Sequence, residues 1–233
     1  MAQGLFITSS GTEIGKTFVT AALIHQLRVS GRTAGAAKPL LSGFDDANVA
    51  GTDTGIILNA LGRELTPGNI NAVTPWRFKA ALSPDMAAER EGRAIDFDAV
   101  TQFTQSALKG PEDIVLVEGV GGVMAPIGAH HTVLDWVAAV GAPALLVVGG
   151  YLGTISHTLT AAKAIEGTGV PLAGVVISAR GELPVPPTET AAAIARFMPG
   201  VPIATLPDLG EASDAWRGAP DLLGPLKVDR AFA

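Results

Sequence analysis

The sequence predicts an α/β protein: a mostly parallel sheet flanked by helices in three layers. Three observations carry that expectation. Uninterrupted apolar runs recur along the chain, as in Asp113-Ile-Val-Leu-Val-Glu118, Pro143-Ala-Leu-Leu-Val-Val148 and Pro171-Leu-Ala-Gly-Val-Val-Ile177, and continuous apolarity marks strands covered on both faces. A segment of helical periodicity, Thr154 to Glu166, separates the last two of these runs. The first apolar run, Gly4 to Ser9, passes through a glycine-containing turn directly into a helical pattern, which is the order strand, loop, helix.

In chain order, Lys16 to Ser30 reads as the first helix because Val19, Leu23 and Leu27 recur every four residues on one face. Thr33 to Lys38 reads as a second strand ended by Pro39, Leu41 to Gly51 as a polar loop, and Asp53 to Leu61 as a helix. Pro67 to Pro84 holds three prolines among short mixed pieces and reads as an elaborated crossover, not a regular element. Asp96 is placed to cap a helix carrying Phe97, Val100, Phe103 and Ala107 on one side. The strand 113–118 follows and ends on a carboxylate. A helix over Thr154 to Glu166 separates the strands 143–148 and 171–177. Pro184 to Pro187 is a loop, Thr188 to Phe197 a helix, and Pro202 to Thr205 a last short strand.

At 233 residues one domain spanning 1–233 is the expectation, with no internal repeat and no linker. Zero cysteines exclude disulfide scaffolds, thiol nucleophiles, thiolate zinc sites and cysteine-held iron–sulfur clusters. Sixteen basic against 22 acidic side chains, a net charge of −6, argue against a nucleic-acid surface, which needs clustered Lys and Arg. Apolar stretches such as Ala142 to Val148 are too short to span a bilayer, and no basic leader with a cleavage site opens the chain, so a soluble cytoplasmic protein without a membrane partner is expected.

Chemistry concentrates at strand ends. Ser9-Ser-Gly-Thr-Glu-Ile-Gly-Lys-Thr17 lies between the first strand and first helix, where backbone N–H groups and a helix N-terminus surround phosphate oxygens. There Lys16 neutralises outer phosphates and Thr17 offers a hydroxyl to Mg²⁺. The strict pattern asks for glycine at residue 10, which is Ser10. Glu13 inside the loop has to face away, meet a metal or select a cation, since carboxylate repels phosphate. Lys38 brings a second ammonium to the same sheet edge, or else snorkels into water. Glu118 ends its strand just before Gly119-Val-Gly-Gly122, where small residues leave room for a ligand, and either serves Mg²⁺ or caps the strand in solvent. Asp53 is either a second carboxylate for that ion or a helix N-cap. Ser42 and Ser83 are loop hydroxyls of open role. Gly149 to His157 presents amide donors at a helix start, a place for a substrate carboxylate. His157 and the pair His130-His131 show no metal-ligand spacing. Trp76, Trp136, Trp216 and Tyr151 are too dispersed to stack nucleic acid.

Taken together, Thr12-Glu-Ile-Gly-Lys-Thr17, Lys38-Pro39, Val117-Glu-Gly-Val-Gly-Gly122 and Leu152-Gly-Thr-Ile-Ser-His-Thr158 closely resemble the dethiobiotin synthetase family, over roughly Gly4 to Leu209. The resemblance implies a P-loop NTPase-like fold, a homodimer with sites at the subunit interface, Mg-ATP, and conversion of 7,8-diaminononanoate and CO₂ to dethiobiotin. It implies that Lys16 and Lys38 surround the transferring phosphate, that Thr17, Asp53 and Glu118 are linked to Mg²⁺, and that Ser42 contacts substrate. The nucleotide would be lined by Thr12, Glu13, Ile14, Gly15, Lys16, Thr17 and Phe18, with Gly119, Val120 and Gly121. Ser178 would lie at the base, where the family can carry asparagine, and Pro207, Asp208 and Leu209 would close over it. Gly150, Tyr151, Leu152, Gly153, Thr154, Ile155 and Ser156 would receive the substrate carboxylate. Ser9 stands where the family often has its first loop glycine, and Tyr151 where a lysine can occur.

The main competing reading is a partition-type ATPase switch, which would share sheet and loop. Such proteins usually place a second lysine where Gly11 stands, and no amphipathic tail or basic patch supports one here. A glutamine-dependent amidation enzyme would need a glutaminase region and a cysteine.

Overall fold

The computed structural model describes residues 3–210 and 212–227. Along the chain, β1 (Gln3–Ser9) leads to α1 (Lys16–Val29), β2 (Ala34–Ala37), β3 (Leu40–Ser42), α2 (Asp53–Leu61), α3 (Pro67–Val73), β4 (Trp76–Phe78), α4 (Pro84–Arg90) and α5 (Phe97–Ala107). Then come β5 (Ile114–Glu118), α6 (Val133–Val140), β6 (Ala144–Gly149), α7 (Thr154–Gly167), β7 (Leu172–Ala179), α8 (Pro187–Phe197), β8 (Ile203–Pro207) and α9 (Leu223–Leu226). Six strands form one sheet in the order β2-β5-β1-β6-β7-β8, and every pairing in it is parallel.

The three layers follow from the period of two along a strand. Leu5 and Ile7 of β1, Leu116 of β5 and Val147 of β6 join Val19, Leu23 and Leu27 of α1 and Ile57 of α2 on one face of the sheet. Their neighbours Phe6, Val117, Leu146 and Val148 point the other way, toward Trp136 of α6, Ile165 of α7 and Ile194 of α8. β5 and β6 are buried at every position, which is why they read as unbroken apolar runs.

The segment Pro67 to Pro84 differs from expectation: it is built of regular pieces, α3, β4 and the start of α4. β4 pairs in parallel with β3, so the strand 40–42 also replaces the start of the expected loop at Leu41. The pairing depends on tertiary contacts: Trp76 donates its N–H to Pro39 O at 3.1 Å, and Lys38 donates its own to Val73 O at 2.9 Å. These two bonds tie the chain on either side of Lys38 and fix where that lysine leaves the sheet. Helix α6 adds to the elements expected from the sequence, with Thr132 and Asp135 forming a reciprocal capping box at its start.

Candidate active site

The carboxyl ends of β1, β5 and β6 meet at one edge, and the loop from Ser10 to Gly15 wraps the start of α1 there. Gly15 caps α1 with φ 101°, a left-handed conformation that glycine adopts freely. A Cβ at Gly15 would also lie 2.7 Å from Ser178 Oγ, so loop and β7 approach too closely for any side chain. Glu13 is left-handed as well, at φ 58°; such turns point successive N–H groups to one side and form an anion cradle.

Behind the loop sits an ion cluster in which Lys38 and Glu118 are buried and Asp53 is half-exposed. Lys38 Nζ lies 2.6 Å from Glu118 Oε1 and 2.9 Å from Asp53 Oδ2, and donates to Gly119 O at 3.3 Å. Lys38 is 2% exposed and Glu118 0%, so the lysine does not snorkel. Thr17 donates its hydroxyl to Glu118 Oε1 at 2.8 Å and Thr20 to Oε2 at 2.6 Å. Thr52 performs the capping at α2, accepting from Gly55 N, which leaves Asp53 in the first turn with its carboxylate free for Lys38. Burial opposes the charge on Lys38, yet Asp53 and Glu118 outweigh it and hold its pKa above the ordinary value. Burial likewise disfavours ionised Asp53, but the Lys38 charge and hydrogen bonds from Lys38 and Thr17 hold its pKa below the ordinary value.

Lys16 is arranged differently. Its ammonium donates to Ser9 Oγ at 3.1 Å and to Gly121 O at 2.9 Å, with no carboxylate of the described residues in contact. Burial, reinforced by the Lys38 charge and only partly offset by Glu118 and Asp53, lowers its pKa from 10.5 to about 8.

This cluster opens into a cavity of about 950 Å³, of the size that takes a small-molecule ligand. Thr12 to Phe18, Lys38, Ser42, Asp53, Ser83, Val120, Gly121, Arg180 and Gly181 are among the residues that line it. Ser178 is 1% exposed and lies behind Gly15 rather than on the wall. Arg180 lines the cavity instead, its guanidinium 5.4 Å from the centre of the Phe18 ring; no motif marked it in the sequence. Gly150 to Ser156 and Pro207 to Leu209 lie off the wall of this cavity. Glu118 and Gly119 are likewise not lining residues and meet the site through Thr17 and Lys38.

The donor set suits Mg²⁺. Thr17, Asp53 and Glu118 offer one hydroxyl and two carboxylates around a point already held by a cation, the Lys38 ammonium. No three His, Cys, Asp or Glu side chains among the described residues form a cage, and Mg²⁺ usually takes one or two carboxylates and completes its shell with phosphate and water.

A parallel sheet whose first βα turn cradles anions, with lysine, threonine and a strand-end carboxylate behind it, defines a P-loop nucleotide-binding protein. Known proteins agree. A family model described as an AAA domain matches residues 3–215. The ATP-dependent dethiobiotin synthetase BioD of Acidiphilium cryptum is 46% identical over 198 residues, 84% of this chain and 89% of its own. That of Caulobacter sp. strain K31 is 44% identical over 220 residues, 94% of each chain. The chain belongs to the ATP-dependent dethiobiotin synthetase family, and is an enzyme of the ligase class. Among solved structures, apo McdA of Cyanthece superimposes with TM-score 0.58 at 14% identity over the full length of both chains. The MinC:MinD complex of Aquifex aeolicus gives 0.57 at 15% identity, over 93% of this chain and 86% of that one. These two share the fold alone. Among the described residues no helix is long and apolar enough to cross a membrane.

Proposed function

We propose that this chain makes dethiobiotin from 7,8-diaminononanoate, CO₂ and ATP. The observation that carries the reading, within the family established above, is the convergence of Lys16, Lys38, Thr17, Asp53 and Glu118 at one cavity large enough for a nucleotide and a second small molecule. One amine of the diamine captures CO₂ as a carbamate. A carbamate oxygen attacks the γ-phosphorus, ADP leaves, and a carbamic–phosphoric anhydride results. The second amine then attacks the carbonyl carbon, the ureido ring closes and phosphate departs. No protein nucleophile is required, so the residues act by charge and position.

In this reading Thr12 to Phe18 and Gly119 to Gly121 hold the nucleotide, and Lys16 and Lys38 neutralise the transferring phosphoryl group. Thr17, Asp53 and Glu118 hold Mg²⁺, which when bound polarises phosphate oxygens. Ser42, which lines the cavity, faces the diamine. Pro207 pairs with Ala179 at the end of the sheet, and Pro207 to Leu209 close over the nucleotide. Gly150 to Ser156, off the wall of their own chain's cavity, take the substrate carboxylate in the site of a second copy, which makes the working unit a homodimer.

The test is product formation. Purified protein given diamine, bicarbonate, Mg²⁺ and ATP yields one dethiobiotin per ATP by mass spectrometry. Absence of the ring product, with nucleotide and diamine both shown to bind, overturns the assignment.

A further inference from the structure

We propose that Lys38 occupies the divalent-cation position with its own ammonium and gives it up only when a nucleotide's phosphates take that ammonium over, so that metal enters with the nucleotide and not before it. The inference rests on the reading of Thr17, Asp53 and Glu118 as metal ligands. It comes from where Lys38 sits. An ammonium has three donor hydrogens, and three acceptors surround this one: Glu118 Oε1 at 2.6 Å, Asp53 Oδ2 at 2.9 Å and Gly119 O at 3.3 Å. Both carboxylates therefore spend on Lys38 an oxygen that a metal ion would need.

Glu118 has little left to offer. Its Oε1 also accepts from Thr17 at 2.8 Å and its Oε2 from Thr20 at 2.6 Å, and it is wholly buried. A cation approaching these oxygens has to displace the ammonium rather than bind beside it.

Charge balance points the same way. Lys16 and Lys38 face Asp53 and Glu118, two positive against two negative, so the cluster is neutral as it stands. A divalent ion added alone leaves a net charge of +2 next to two ammonium groups, at a site where Lys38 and Glu118 are buried although Asp53 is 36% exposed, and uncompensated charge beside buried groups is disfavoured. Added together with a polyphosphate, the same ion meets compensating negative charge, and the displaced Lys38 finds new oxygen acceptors in the cavity it lines. Four rotatable methylenes let the ammonium move without moving the backbone, which the bonds of Lys38 N to Val73 O and Trp76 N to Pro39 O keep in place.

The experiment is Mn²⁺ binding followed by electron paramagnetic resonance on chelator-treated protein, with and without a non-hydrolysable ATP analogue. Without nucleotide, Lys38→Met, which keeps the stem and removes the charge, is expected to bind Mn²⁺ about tenfold or more tightly than wild type. That is the ratio for a site whose competent form is a tenth populated. The double variant Lys38→Met/Glu118→Gln loses the gain. If Lys38→Met folds poorly in chelator, Mg²⁺ alone should raise its yield of folded protein by replacing the missing counter-ion, while leaving wild type unaffected. Wild type binding Mn²⁺ as tightly without the analogue as with it overturns the inference and leaves the metal-ligand reading intact. Mn²⁺ that binds neither protein under any condition overturns that reading, and the inference with it.

Discussion

Thr17 and Glu118, 101 residues apart in the chain, share a hydrogen bond of 2.8 Å that joins the start of α1 to the end of β5. The same carboxylate accepts from Thr20 and from Lys38, so every group facing it is a donor. Glu118→Gln puts an amide NH₂ among those donors and leaves Asp53 as the one carboxylate in contact with Lys38 among the described residues. Stability at pH 7 is expected to fall by about 3 kcal/mol, the usual cost of breaking a buried ionic network from one side. Turnover should fall by about 10²-fold or more as a ligand for the activating ion is lost. Urea denaturation and initial rates at saturating Mg-ATP measure the two, and a variant with wild-type midpoint and rate would refute both roles.

Lys16 costs the fold something, and pH reveals it. Its pKa is 10.5 as a free side chain and about 8 here, so between those values the unfolded chain binds more protons than the folded one. Stability therefore rises with pH across that window, and the full penalty is present below about pH 8. Lys16→Met removes the buried charge. In chelator, without nucleotide, the variant should be more stable than wild type at pH 7 by about 1–3 kcal/mol, with the difference shrinking toward pH 10. Thermal melts across pH test this; equal melting temperatures at pH 7, or a difference that grows with pH, would contradict it. The same variant should lose phosphoryl transfer.

Ser9 holds Lys16 back. Its hydroxyl accepts from the Lys16 ammonium at 3.1 Å and lies 2.8 Å from Gly121 O, the other acceptor of that ammonium. A nucleotide phosphate has to draw Lys16 away from both. Ser9→Ala removes one of the competing bonds, whose net worth is about 0.5–1.5 kcal/mol, and should tighten binding of a non-hydrolysable ATP analogue by about two- to tenfold. Calorimetric titration reads this directly. Weaker binding would mean that Ser9 orients Lys16 toward the phosphate instead.

The strands and the phosphate loop were legible because their signals are local: β5 and β6 are buried at every residue, and the Gly15-Lys-Thr17 turn sits at a strand end. Lys38 and Glu118 could be placed at the same edge for that reason alone. Which of its roles Asp53 would take was not legible, because it depends on Thr52 capping the helix first. Strand β4 and its pairing with β3 escaped notice since three residues between prolines carry no period, and their register is set by bonds to residues 39–44. Helix α6 had a readable start in Thr132 and Asp135. The partnership of Lys38 with both carboxylates is a purely tertiary fact, and so is the place of Arg180, a side chain whose position follows from the end of β7 and from Phe18 across the loop.

Ser178 and Arg180 differ in what each can offer a nucleobase. The family resemblance would put Ser178 at the base, but among the described residues its buried Oγ is without a hydrogen-bond partner and lies against Gly15, 2.7 Å from where a side chain there would begin. A hydroxyl so enclosed cannot read a base edge. Removing it deletes an unsatisfied buried polar atom, so Ser178→Ala should be neutral or stabilising by about 1 kcal/mol, with the ratio of ATP to GTP and CTP affinities unchanged. Arg180, on the cavity wall near Phe18, offers a planar cation to the face of any base. Stacking of that kind contributes about 0.5–1 kcal/mol at an exposed site, and does not depend on which exocyclic groups the base carries. Arg180→Ala should therefore weaken ATP, GTP and CTP alike, by a few-fold each. Competition titrations with the three triphosphates on both variants separate the roles: a selectivity change confined to Ser178→Ala would restore the base contact to Ser178 and remove it from Arg180.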